Sequence, residues 1–107
     1  MKSLRHIGLL TLLAGSLMSI TQAQGGYGVK PEKGFVPDEI TAVRIAEAIL
    51  GPIYGQQKVE SERPFSAHLS EGIWKVEGHL PDGVDGGVAE VWIDKQDGRI
   101  VRVSHGK

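Results

Sequence analysis

The chain has 107 residues, 12 Lys and Arg against 13 Asp and Glu, no cysteine, and a formal net charge of −1. That length allows one domain with a small core. The charge balance gives no sign of the basic face that nucleic acid calls for, and the missing cysteines exclude disulfides, thiolate metal sites and a thiol nucleophile.

Residues 1–23 read as a secretory signal peptide. Lys2 and Arg5 lead, an apolar run follows from Ile7 to Ile20, and Thr21 and Ala23 stand at the small-residue positions of a cleavage site. The run is short for a bilayer span, so the mature protein is expected to be periplasmic and free of the membrane. Lys2 and Arg5 leave with this segment while all 13 acidic residues stay, which moves the net charge from −1 to −3. A surface of that sign suits a neutral or basic protein partner. Residues 24–36, glycine-rich and charged, predict a flexible tether, with Phe35 and Val36 placed to fold back as a hydrophobic staple on the helix that follows.

The domain proper is expected over residues 37–107. Within PDEITAVRIAEAILGPIYG, Ala42, Val43, Ile45, Ala46, Ile49 and Leu50 recur at helical spacing. Asp38 is a good N-cap, Glu39 adds favourable charge to the first turn, and Gly51-Pro52 predicts the stop. Lys58 to Glu62 reads as a polar, short edge strand, and Pro64 marks the start of the next one. From Phe65 the chain alternates: Phe65, Ala67 and Leu69 face one way, with a tight turn at Glu71-Gly72. Ile73 to Leu80 returns with Lys75, Glu77 and His79 on the outer face. Pro81 to Gly87 is the main loop. Val88 to Asp94 turns Ala89, Val91 and Ile93 inward, and the last strand, Arg99 to His105, is inward at Val101 and Val103. The fold class is α+β: one N-terminal helix packed on a curled antiparallel sheet of three to five strands, cystatin-like or a truncated cone.

Catalytic groups are scarce. Ser61, Ser66, Ser70 and Ser104 lie in no nucleophile-elbow context. His68, His79 and His105 sit on different strands without ligand spacing, so no catalytic residue, metal or cofactor is expected. Asp82 and Asp85 each precede a glycine, the ordinary chemistry of turns. Trp92 stands out, because an indole between Glu90 and Asp94 on the outer face is a common centre of a protein interface. The alternative is that the curled sheet packs both of its faces, or that the ring covers a lysine stem or glycine of a neighbouring strand. The candidate partner-binding surface is therefore Lys75, Glu77, His79, Glu90, Trp92 and Asp94, with Asp82 and Asp85 from the adjoining loop.

The blocks PDEITAVRIAEAILGPIYG, ERPFSAHL, GIWKVEGHLP and GGVAEVWIDKQDGRIVRVSHGK together resemble the bacterial immunity proteins of the nuclear transport factor 2 fold, over about residues 35–107. The resemblance implies a non-enzymatic antitoxin that binds a toxic effector delivered by sister cells and occludes its active site. Combined with export, it implies a toxin that works on cell wall or lipid. The fold name describes several helices before a bent sheet, where this sequence displays one. The stretch VWIDKQDGRIVRV also looks like the end of PepSY domains, which implies the alternative of an inhibitory or accessory module for the cell's own exported proteases.

Overall fold

The computed structural model describes residues 27–106, so the expected signal peptide and the first residues of the tether lie outside the described part. The long helix α1, Glu39–Tyr54, starts where Asp38 stays extended and its carboxylate accepts the Thr41 amide at 2.8 Å. Ala42, Ala46 and Leu50 form its buried seam. Two alanines there let the helix approach the sheet closely, and Val43 and Ile45 pack alongside.

The helix runs past the expected stop. Pro52 lies in its last turn, where it removes one amide hydrogen bond and crowds the carbonyl four residues back without ending the helix. The true end is Gly55, whose φ of 101° is open to glycine and whose amide closes on the Gly51 carbonyl at 2.8 Å. The chain then re-enters a second helix, α2, Gln56–Ser61, in place of the expected edge strand. Only Val59 of this segment is buried, and a single apolar position cannot separate a strand from a helical turn by its period.

Four strands follow: β1 Ser66–Ser70, β2 Ile73–Glu77, β3 Ala89–Asp94 and β4 Ile100–His105. They pair antiparallel in the order β1-β2-β3-β4, an open sheet with β1 and β4 at its edges. At the β1–β2 turn Glu71 and Gly72 both have positive φ, 51° and 78°, the geometry that suits a two-residue hairpin. Ala67, Trp74, Val76, Ala89, Val91 and Ile93 are buried on the inner face, and α1 lies against β1, β2 and β3. The architecture is α+β as expected, with two helices instead of one: α1 packs on one face of the sheet and the short α2 packs against α1.

Two strand readings change. β2 ends at Glu77, short of Leu80. Val101, expected inward, is 38% exposed, because the register shifts from Trp92 opposite Arg102 to Ile93 opposite Ile100 and leaves Val101 over. That bulge hands the inward position to Ile100.

The end of the expected tether belongs to the domain, whose compact unit begins at Pro31. The Phe35 and Val36 amides donate to the Gln96 and Lys95 carbonyls of the β3–β4 turn, each at 3.0 Å. Val36 is fully buried and its carbonyl accepts the Trp74 indole N–H at 2.8 Å. A buried indole N–H needs such a partner, so this bond also fixes Trp74 in the core. Phe35 stays 52% exposed, leaving the staple to Val36.

The alanine seam gives a direct test of this packing. Ala46→Leu should destabilise the protein by about 1–3 kcal/mol through overpacking, read as a lower urea midpoint. Ile40→Ala, at a site 64% exposed, should change stability by less than about 0.5 kcal/mol.

Candidate docking face and a buried acid–imidazole pair

Alternation along each strand sends a second set of side chains to the face away from the helices, and the register lines them up in rows. One row is His68, Lys75, Trp92 and Arg102; the next is Ser66, Glu77, Glu90 and Ser104. Trp92 is half-buried within its row. Lys75 Nζ lies 4.4 Å from the indole centroid and Arg102 Cζ 5.3 Å from it, so both cations rest on the ring's electron-rich face. The ring thus meets a lysine of the neighbouring strand while staying half-exposed on the outer face of the sheet. The indole N–H is buried and has no acceptor among the described residues.

The other sequence-derived candidates divide. Glu77 and Glu90 stand opposite each other on β2 and β3, both half-buried. Asp94 is already engaged: its Oδ1 accepts the Gln96 amide at 2.9 Å and the Asp97 amide at 3.2 Å, and Arg99 lies 3.8 Å from Oδ2. The Asp97 amide, with that of Gln96, holds the Asp94 carboxyl below the ordinary carboxylate range. This aspartate shapes the β3–β4 turn. His79 is exposed beyond the end of β2, and Asp82 and Asp85 are exposed in the loop, where the Val84 amide closes a turn on the Pro81 carbonyl at 3.1 Å. The structure thus gathers Lys75, Glu77, Glu90 and Trp92 on one face and leaves His79, Asp82 and Asp85 on the adjoining loop.

Sequence reasoning missed Glu62. It follows α2 and is 4% exposed, the one buried charged residue of the described chain. Its Oε1 accepts the Ala89 amide at 2.8 Å, its Oε2 lies 2.9 Å from His105 Nε2, and its carbonyl accepts the His79 amide at 2.7 Å. One residue therefore ties the end of β2, the start of β3 and the end of β4. A Cβ at residue 78 would run into the Glu62 carboxylate and the Phe65 ring, which is why glycine stands there. The Tyr54 ring packs on His105 with centroids 5.4 Å apart.

An acid beside an imidazole invites a catalytic reading, but the ring has no free nitrogen. His105 Nδ1 faces the Gly106 carbonyl at 2.8 Å, which can only accept, and Nε2 faces Glu62. Whichever partner holds the shared proton, neither nitrogen offers a lone pair to a substrate. The pair borders a groove of about 450 Å³, lined by Glu62 and His105 together with Lys58, His79 and Asp85, that is open at the surface. Among the described residues no three His, Asp or Glu side chains gather to hold a metal ion.

These features define a small α+β protein with its long helix on one side of an open sheet and a polar, charged face on the other. The chain belongs to the NTF2 fold immunity protein family, whose model matches residues 41–107. Membership implies a toxin-neutralising role through a toxin partner. The chain is also similar to two uncharacterised proteins of Escherichia coli (strain K12). It is 34% identical to YhhH over 92 residues, covering 85% of this chain and 70% of that protein. To YbbC it is 34% identical over 76 residues, covering 70% of this chain and 62% of that protein, so the chain spans less than two thirds of that relative's length. No solved structure matches significantly.

Two outcomes follow from the charges placed here. Glu62→Ala should destabilise the protein by about 3–5 kcal/mol in urea unfolding, since it strips a buried network of its acceptor, and Glu62→Gln, which keeps an acceptor for the Ala89 amide, should cost less. A carboxyl held low in the folded state adds stability at neutral pH that is lost as pH falls through its folded value. Asp94→Asn should therefore flatten part of the decline in Tm between about pH 5 and 2.

Proposed function

We propose that this protein is an exported immunity protein that binds a cognate antibacterial toxin in the periplasm and neutralises it by covering its active site, without chemistry of its own. The observation that carries the reading is the family match over residues 41–107, which takes in most of α1 and the whole sheet. It favours this reading over that of a PepSY-like module. The sequence of residues 1–23 supports export, and export points to a toxin acting on cell wall or lipid.

Occlusion requires a surface, and the outer sheet face is the broad one available. Four strands at about 4.8 Å spacing and six residues at about 3.3 Å each make a face of roughly 300–400 Å². A stable interface buries about 800 Å² per partner. The sheet alone supplies about half, so the Pro81–Gly87 loop, with Asp82 and Asp85, joins it in this reading. Trp92 lies centrally in the face, with its cations as a rim.

The test is co-purification with the product of the adjacent gene, together with rescue of cells that direct that product to the periplasm. Rescue by the full chain and failure of a version lacking residues 1–23 is the expected pattern. No binding and no rescue would end the proposal. Trp92→Ala should weaken the complex by about 2 kcal/mol or more while circular dichroism stays native; unchanged affinity would remove Trp92 from the interface.

A further inference from the structure

The charges of the outer face can be sorted by whether the molecule already matches them. Lys75 and Arg102 lean on the Trp92 ring, and Asp94 is spent on the β3–β4 turn. Glu77 and Glu90 are left. Among the described residues no ion pair or hydrogen bond reaches either carboxylate, although Lys75 and Arg102 lie one row away.

Their placement makes the mismatch sharper. The Ala89 carbonyl accepts from Gly78 on the β2 side and the Val88 carbonyl accepts from Gly106 on the β4 side, so by alternation Glu90 bonds toward β4. Glu77 opposite Glu90 is then a non-hydrogen-bonded pair, the closer kind, with Cα atoms about 4.5 Å apart. Like charges placed so are destabilising. The two acids also line a surface depression of about 370 Å³ with Arg102, Ser104 and His105, and Trp92, in the next row, is the centre of the same face.

We propose that the Glu77–Glu90 pair is the docking point for a basic side chain, arginine or lysine, presented by the partner protein, with the outer face of the sheet as the interface. This rests on the immunity reading and gives the partner's surface a sign. An inserted guanidinium or ammonium would meet both carboxylates at once, and a guanidinium can do so with its paired donors. The cations over Trp92 would stay where they are, lining the insertion site without filling it. Excess acid over the whole chain, net −1, would favour approach of a basic partner.

The experiment uses the full chain carrying E77Q and E90Q together. With the repulsion removed, the variant should stay folded and melt about 2–4 °C higher than wild type. Its affinity for the product of the adjacent gene should fall at least about 30-fold. In parallel, wild-type protein labelled with ¹⁵N is titrated with N-acetyl-arginine amide and with the neutral citrulline equivalent. Amide shifts at Glu77, Glu90 and Ser104 with arginine and none with citrulline are expected, and the arginine shifts at these three positions should vanish in the double variant. If the wild type binds and rescues while the double variant binds equally well, the inference is overturned and the immunity reading stands. If the wild type neither binds nor rescues, the immunity reading falls, and the arginine titration alone decides whether the acidic pair is a cation-docking point. Equal responses to arginine and citrulline, or none, overturn it.

Discussion

The Glu62 carboxylate holds the end of the sheet that α1 does not cover, and much of the chain is arranged to keep it dry and matched. α1 lies against β1, β2 and β3, so β4 is retained by its pairing with β3, by Ile100 and Val103 packed against the core, and by what grips its last residue. That grip is His105 on Glu62 at 2.9 Å. An isolated buried carboxylate would cost several kcal/mol in lost hydration, and two partners offset the loss: the Ala89 amide and the imidazole. Both carboxylate oxygens are thereby used. Gly78 leaves the space, Phe65 and Val59 supply apolar cover nearby, and the Tyr54 ring covers His105.

Local features of this layout were legible in the sequence. The stripe from Ala42 to Leu50, the Asp38 cap, the Glu71-Gly72 turn and the inward phase of β3 all depend on residues within a few positions of each other, where period and turn chemistry act. Long-range features were not. Nothing local distinguishes Glu62 from Glu60, yet one is buried against residues 27 and 43 positions away and the other is exposed. The β4 bulge is equally invisible, since Val101 and Val103 alternate as a regular strand would and only the pairing with β3 displaces the first. Gly51-Pro52 misled for a different reason. Proline removes one amide bond to the carbonyl four residues back and crowds that carbonyl, which weakens or bends a helix without obliging it to end, and here the helix continues to Tyr54.

The candidate face was legible to a similar extent. Alternation was enough to place Lys75, Glu77, Glu90 and Trp92 together, because a strand with one buried face fixes the other. What alternation could not supply was the cross-strand register. Read along β3, Trp92 is flanked by two acids; read across the sheet, it is flanked by Lys75 and Arg102. Neighbours across an antiparallel pair are closer than second neighbours along a strand, about 4.5–5.5 Å against 6.6–7 Å. The cations therefore determine what the ring touches, and the indole presents as the floor of a charged row instead of an acid-ringed knob.

The two pairs of ionisable groups on the sheet show how structural and binding roles can be told apart by accounting for partners. Glu62 is buried and His105 partly so at the edge of an open groove, and every polar atom of the pair has a counterpart, so removing His105 leaves a buried carboxylate oxygen unmatched. Their chemistry is consumed in holding strands together. Glu77 and Glu90 present the opposite case, with two like charges in register and no ion pair to either among the described residues, although Arg102 lines the same depression and Lys75 stands one row away, both resting on the Trp92 ring. Folding alone gives no reason for that arrangement, because glutamine or threonine in either place would serve the sheet at least as well. A destabilising feature that local packing does not explain is most economically accounted for by something outside the chain, and for an acidic pair at the foot of a surface depression that something carries a positive charge.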